Sequence, residues 1–290
     1  MIPLDAIQSD QELLQKAISQ VTPQILGSII DHTQLNPAAT WADIQALCRE
    51  ANEIGSFICI NGSRVVDARE CIIKEKLANV RGIAVVVGFP FGAGSTQEKV
   101  EGAFEALNVA GVHEVDMVLN YGKLIEGDYS FVEEDISGVA EEVRCAQDFT
   151  GEKKILKVIQ ENCCLDESKK RFATNIIAAV AKEMGSLHMF AKTSTGFGVP
   201  KDKETPKGAT LADVWTMSAL AETHRKHDAL IGVKAAGGIG GAETAVKMML
   251  AGDCFDDNLN LRENLSDRFR IGASAGKKIV LELATLLVKR

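Results

Sequence analysis

In Phe190-Ala191-Lys192-Thr193-Ser194-Thr195-Gly196-Phe197-Gly198 a lysine closes a short apolar run that begins at Leu187. Hydroxyl residues and glycines follow it at once. An apolar run of that length reads as a buried strand. A lysine at the mouth of such a strand loses solvation, and shedding its proton relieves the cost. The neutral amine that remains is a nucleophile for carbonyl carbon. The Thr-Ser-Thr-Gly turn offers hydroxyls and close backbone approach to a polar or phosphorylated ligand. The alternative is a lysine that snorkels, with its stem in the core and its charge in water.

Outward from this stretch, strand-like and helix-like patterns alternate. Apolar runs at Ile25 to Ile30, Phe57 to Ile60, Gly82 to Val87, Glu114 to Leu119, Lys154 to Ile159, Leu187 to Ala191, Ala229 to Val233 and Phe269 to Ile271 read as strands. Helical periodicity follows each of them, with starts marked by Thr40, by Ser95 with Glu98 in capping-box spacing, and by Asp166. Asp10 to Ser19 reads as a short leading helix. Asp253 to Asp267 is acidic and aperiodic, and reads as a solvated loop inserted before the eighth strand. Eight strand–helix units with no linker between them imply an α/β fold, a single (β/α)8 TIM barrel over residues 1–290. A doubly wound sheet is the alternative. Asp31-His32-Thr33-Gln34 after the first run lacks the glycine fingerprint that fold uses for dinucleotides.

Composition narrows the function. The chain has 290 residues, a net charge of −8, and ordinary apolar (46%) and charged (25%) content. A nucleic-acid or anionic-membrane surface is not expected of an acidic protein. No apolar run reaches transmembrane length, and the first 19 residues do not resemble a secretory signal. Seven cysteines without a C-x-x-C pair fit reduced thiols and a cytoplasmic location. Five histidines lack metal-ligand spacing, so no metal is expected, and without a flavin or nicotinamide motif no cofactor is expected either.

Polar residues gather at the C-terminal strand ends, where a barrel places its chemistry: Asp31, Thr33, Cys59, Asn61, Asp116, Asn120, Lys157, Lys192, Lys234 and Ser274. Lys192 and Lys234 end consecutive strands, which lie about 4.8 Å apart. Two ammonium groups that close repel, and one is pushed to lose its proton. Asp116, if it faces inward, can move protons between amine, adduct and water. This set suggests imine chemistry: aldol cleavage or condensation, or decarboxylation. Each residue also has a plainer reading, with Lys157 as a counter-charge to Glu161 and Lys234 as a phosphate ligand. Gly237-Gly238 and Gly272-Ala273-Ser274 follow strands seven and eight, where barrels bind phosphate with backbone N–H groups and a helix N-terminus. With Thr195-Gly196 they form a candidate anion site.

The motifs Glu114-Val-Asp-Met-Val-Leu-Asn120, Phe190-Ala-Lys-Thr-Ser-Thr-Gly196, Gly232-Val-Lys-Ala-Ala-Gly-Gly-Ile239 and Arg270-Ile-Gly-Ala-Ser274 resemble those of the deoxyribose-phosphate aldolases, and Asp31-His-Thr-Gln-Leu-Asn36 and Cys59 fit the same pattern. The resemblance spans nearly the whole chain. It implies a metal-free class I aldolase that reversibly cleaves 2-deoxy-D-ribose 5-phosphate to D-glyceraldehyde 3-phosphate and acetaldehyde, in deoxyribonucleoside catabolism. It further implies that Lys192 forms the imine and that Asp116 and Lys234 handle protons with a water. Gly196, Gly237, Gly238, Gly272 and Ser274 would surround the phosphate, and Thr33 and Thr195 would lie near substrate hydroxyls. Asp31, Cys59 and Lys157 complete the expected substrate contacts. Such barrels often pair, so a homodimer is compatible. At three positions this chain departs from the pattern: Gly240 stands where many relatives have Arg or Lys, and Phe197 and Ala275 stand where some have a lysine and a serine. Weaker discrimination against unphosphorylated aldehydes is expected from those changes. A transaldolase-like or decarboxylating enzyme, or a sugar-phosphate binder without turnover, are the competing readings.

Overall fold

The computed structural model of the chain describes residues 1–288. Three helices come first: α1 (Leu4–Ser9), α2 (Gln11–Gln20) and α3 (Pro23–Ser28). Then follow β1 (Ile30–Gln34), α4 (Trp41–Ile54), β2 (Phe57–Asn61), α5 (Val65–Glu75), β3 (Ile83–Val87), α6 (Thr96–Leu107) and β4 (Val112–Val118). The middle of the chain forms α7 (Tyr121–Glu126), α8 (Tyr129–Thr150), β5 (Ile155–Ile159), α9 (Glu167–Glu183) and β6 (His188–Lys192). The last part forms α10 (Leu211–Arg225), β7 (Ile231–Ala236), α11 (Ala242–Ala251), α12 (Leu265–Arg268), β8 (Phe269–Ala273) and α13 (Gly276–Val288).

The eight strands are parallel and close into a barrel in chain order, β8 pairing with β1. All eight therefore open their C-terminal ends on one mouth. Local chemistry sets the helix boundaries. Thr40 and Asp43 form a reciprocal capping box at the start of α4, and Ser95 and Glu98 form another at α6. Gly55 ends α4 in the left-handed conformation. Strands β3, β5, β6, β7 and β8 are buried at every position, as strands enclosed on both faces must be.

The fold departs from the sequence expectation in three places. The run Ile25 to Ile30 is not the first strand. Most of it lies in α3, because Thr22 accepts from Ile25 N and Pro23 occupies the first helical turn. The strand starts at Ile30, so Asp31 and Thr33 lie within β1 rather than beyond it. Short α1 and α7 carry too few turns to show periodicity; α7 starts where the Asn120 side chain accepts from Lys123 N. Finally, residues 253–267 are not a free solvated loop. Asp253, Cys254 and Phe255 are buried, Phe255 bridges to Leu261, and Arg262 and Arg268 both donate to the Asp253 carboxylate. α12 then leads into β8.

Candidate active site

Strand alternation sends Glu114 and Asp116 of β4, Lys157 of β5, Lys192 of β6, Lys234 of β7, Arg270 of β8 and Asp31 of β1 to the barrel axis. The register pairs Asp116 with Lys157, Lys192 with Lys234, and Lys234 with Arg270. All seven side chains are buried. Asp116 Oδ2 accepts from Lys192 Nζ at 2.6 Å and from Lys234 Nζ at 2.7 Å. Lys234 also donates to Asp31. Lys157 Nζ donates to Asp31 Oδ2 at 2.6 Å and to Glu114, and stands 3.2 Å from Asp116 Oδ1. Arg270 donates to Asp31 at 2.5 and 3.0 Å and to Glu114 at 3.1 and 3.2 Å, with its guanidinium 3.6 Å from the Phe57 ring centre.

This network holds four cations against three carboxylates. Buried charge is tolerated only when balanced, so neutrality asks one cation to give up its proton. The four are not equivalent. Arg270, Lys157 and Lys234 each touch at least two carboxylates, whereas Lys192 touches Asp116 alone. Burial pushes the Lys192 amine below the ordinary lysine range; Asp116 opposes this and the Lys234 charge adds to it. For Lys157, Lys234 and Arg270 burial acts in the same sense, but their carboxylates outweigh it and hold each above its usual value. Burial raises Asp116 and Asp31, yet the surrounding cations hold both carboxyls well below the normal range. Lys192 is thus the one member of the network poised to be neutral. Repulsion from Lys234 is a real contribution, but desolvation is the larger one.

Above the network lies a cavity of about 480 Å³ at the mouth. Among the described residues, Lys192 is the only ionisable side chain on its wall. Thr33, Thr195, Gly196, Gly237, Gly238, Gly272 and Ser274 line it together with Lys192. Gly196 has φ +85° and Gly237 has φ +87°, a region closed to most side chains. A Cβ on Gly208 would stand 2.4 Å from the Gly237 carbonyl, so backbone forms this wall. Phe197 meets Phe89 edge-on, ring centres 5.4 Å apart, and gives the rim an apolar side.

Three residues expected to contact substrate are not on the wall of this cavity. Asp31, Cys59 and Lys157 have no exposed surface and do not line the cavity. Asp31 and Lys157 belong to the ion network beneath it. Lys157 pairs with Asp31, Glu114 and Asp116, not with Glu161. Cys59 sits with Ala84 and Val86, its thiol 3.9 Å from Asp116 Oδ2, and burial pushes that thiol up. Thr33 and Thr195 do reach the cavity, but each hydroxyl already donates, to the Asp31 carbonyl and to Glu161 respectively. Sequence reasoning missed Glu114 and Arg270 as functional groups. Their spacing of two from Asp116 and Gly272 was the available signal, since it places each pair on one face. It also missed Ser194, which lines the cavity near Lys192 and whose buried hydroxyl has no hydrogen-bond partner among the described residues.

No family model matches the chain. Among curated proteins, it is 42% identical to the deoxyribose-phosphate aldolase of Aciduliprofundum boonei over 228 residues, 78% of this chain and 89% of that one. It is 39% identical over 259 residues to the deoxyribose-phosphate aldolase of a Thermoanaerobacter species, 89% of this chain and 96% of the relative. Among solved structures, the deoxyribose phosphate aldolase of Aeropyrum pernix, described as a tetramer, superposes with a TM-score of 0.71 at 27% identity, covering 96% of this chain and 99% of that one. An aldolase called QR15 superposes with a TM-score of 0.68 at 28% identity, covering 90% and 96%.

Proposed function

This chain belongs to the deoxyribose-phosphate aldolase family, and from that premise we propose that it reversibly cleaves 2-deoxy-D-ribose 5-phosphate to D-glyceraldehyde 3-phosphate and acetaldehyde, with Lys192 as the Schiff-base residue. The observation that carries the assignment of Lys192 is the unequal sharing of carboxylates. It is the one cation of the buried network with a single ionic partner, and it alone of the four reaches the cavity.

The chemistry follows from that geometry. The neutral amine attacks C1 of the open-chain sugar, and loss of water leaves an iminium. The iminium draws electrons from the C2–C3 bond as the C3 hydroxyl loses its proton. C3 becomes the aldehyde of glyceraldehyde 3-phosphate, and C2 remains on the lysine as an enamine. Protonation at C2 and hydrolysis release acetaldehyde and return the amine. Asp116, 2.6 Å from the Lys192 amine, and Lys234, which donates to the same Asp116 oxygen at 2.7 Å, handle the protons together with a water. Asp31, Lys157, Glu114 and Arg270 set the charge balance beneath. The backbone of Gly196, Gly237, Gly238 and Gly272, with Ser274 ahead of α13, receives the 5-phosphate, and Thr33 and Thr195 lie beside the substrate hydroxyls.

The reading needs neither metal nor cofactor. One aldolase domain over residues 1–290 suffices for it, acting in deoxyribonucleoside catabolism in the cytoplasm. No helix among the described residues is long and apolar enough to cross a membrane. Self-association, as a homodimer or a larger assembly, is in keeping with the tetrameric relative and is read by sedimentation. The deciding experiment is product analysis with deoxyribose 5-phosphate, alongside borohydride reduction in the presence of acetaldehyde. Release of both aldehydes and a label on Lys192 are expected. Turnover without a label on that residue, or label without turnover, rejects the assignment.

A further inference from the structure

The turn between β5 and α9 holds the loop after Lys192 along its length. Gln160 N donates to the Lys192 carbonyl at 2.9 Å, Asn162 N to Thr193 at 2.9 Å, and Lys201 N to Cys163 at 3.0 Å. These backbone–backbone links do not depend on side-chain identity. One carboxylate reaches into the loop. Glu161 accepts from Thr195 N at 3.2 and 3.3 Å and from the Thr195 hydroxyl. The same hydroxyl accepts from Phe197 N at 2.9 Å. A Cβ placed on Gly198 would stand 2.7 Å from the Glu161 carboxyl carbon, so the loop lies directly on this side chain.

Glu161 is expensive to keep there. It has no exposed surface, its backbone is left-handed at φ +57°, and it makes no ion pair among the described residues. A buried carboxylate is tolerated only where donors surround it, and an L side chain with positive φ is disfavoured. Burial raises this carboxyl and the Thr195 donors pull it back. The principal donors that repay burial are those of the turn bordering the cavity. Gly196, at the centre of that turn, lies 3.9 Å from where a Cβ on Gly237 would stand, so the two glycine loops adjoin at the proposed phosphate end.

We propose that Glu161 is a positioning residue: through Thr195 it locks the Thr195–Gly196 turn as the wall that receives the 5-phosphate. This rests on the aldolase reading above. Lys192 itself is held by Gln160 and Asp116 and meets Glu161 only through a minor charge attraction, so imine formation with a small aldehyde does not require the lock.

The test compares the wild-type protein with Glu161→Ala, Glu161→Gln, Thr195→Val and the Glu161→Ala/Thr195→Val double variant. Three quantities are measured: KM and kcat for deoxyribose 5-phosphate, kcat/KM for deoxyribose, and the rate of borohydride trapping of acetaldehyde. Glu161→Ala is expected to raise KM for the phosphorylated sugar about tenfold or more, with acetaldehyde trapping within about twofold of wild type and a smaller loss of kcat/KM on deoxyribose, which lacks the phosphate. The double variant is expected to match the more impaired single one, as for groups acting through one contact. Glu161→Gln offers one oxygen where two served, and is expected to raise KM several-fold; it carries the test if the alanine chain does not fold. An unchanged KM in either Glu161 variant overturns the proposal. So does a loss of acetaldehyde trapping equal to the loss of turnover, or additive effects in the double variant. A wild-type protein that does not cleave the phosphorylated sugar refutes the aldolase reading instead.

Discussion

Replacing Lys234 with methionine removes one positive charge from beside Lys192 while roughly keeping the volume. Both nitrogens bind Asp116 Oδ2, at 2.6 and 2.7 Å, so they lie no more than about 5.3 Å apart. At an effective dielectric of about 20, two unit charges at that distance repel by about 3 kcal/mol. Each 1.36 kcal/mol is tenfold in a protonation equilibrium, so the neutral fraction of Lys192 falls on the order of a hundred-fold. The sign is definite. Lys192 sits below the ordinary lysine range, so its neutral form grows as pH rises through that lowered value. Losing the Lys234 charge lifts the value, and the rise in reactivity moves to higher pH. Freed Asp116 attraction acts in the same direction. The assay is the second-order rate of borohydride-trapped imine formation with acetaldehyde, followed from pH 5 to 10; it avoids the later proton transfers that Lys234 also serves. Lys234→Arg keeps the cation and is expected to hold the profile in place. An unmoved profile in Lys234→Met, with only its height reduced, would refute the view that charge balance sets the Lys192 proton.

Three other outcomes are expected. Gly240 has open space around the position of a Cβ, so Gly240→Lys puts a cation near the rim; with charge-assisted bonds to phosphate about twice as strong as neutral ones, kcat/KM for deoxyribose 5-phosphate relative to deoxyribose should rise about tenfold. An unchanged ratio would mean that backbone already saturates the phosphate. Gly208→Ala drives a methyl into the Gly237 carbonyl at 2.4 Å; overpacking of this kind costs about 1–3 kcal/mol, read as a lower denaturant midpoint, with KM for the phosphorylated sugar rising as the wall shifts. Lys99 donates to Asp135 Oδ2 at 2.6 Å outside the barrel, both groups buried, and Asp135 also accepts from Asn120 N. Lys99→Met strands that carboxylate and should cost about 3–5 kcal/mol of unfolding free energy; a cost below about 1 kcal/mol would show that the other donors suffice.

Much of this protein was written in local order. Short apolar runs alternating with capped, periodic helices specify eight strand–helix units, because these local signals need no distant contact. Lys192, Lys234 and the glycine turns were legible for the same reason, since a barrel sends every strand end to one mouth. Ile25 to Ile30 misled because a short apolar run has no period to read, and Thr22-Pro23 turned it into a helix. Ion pairing was beyond the sequence altogether. Arg270 and Asp31 are 239 positions apart, and Lys157 and Asp31 are 126 apart, so their contact exists only once β8 closes on β1. That closure decides which cations have several carboxylates and which has one. It also makes Asp31 and Lys157, expected beside the substrate, members of the buried ion network. The chain alone names the amines; the closed barrel, by removing water and apportioning charge among them, selects the one that can be neutral.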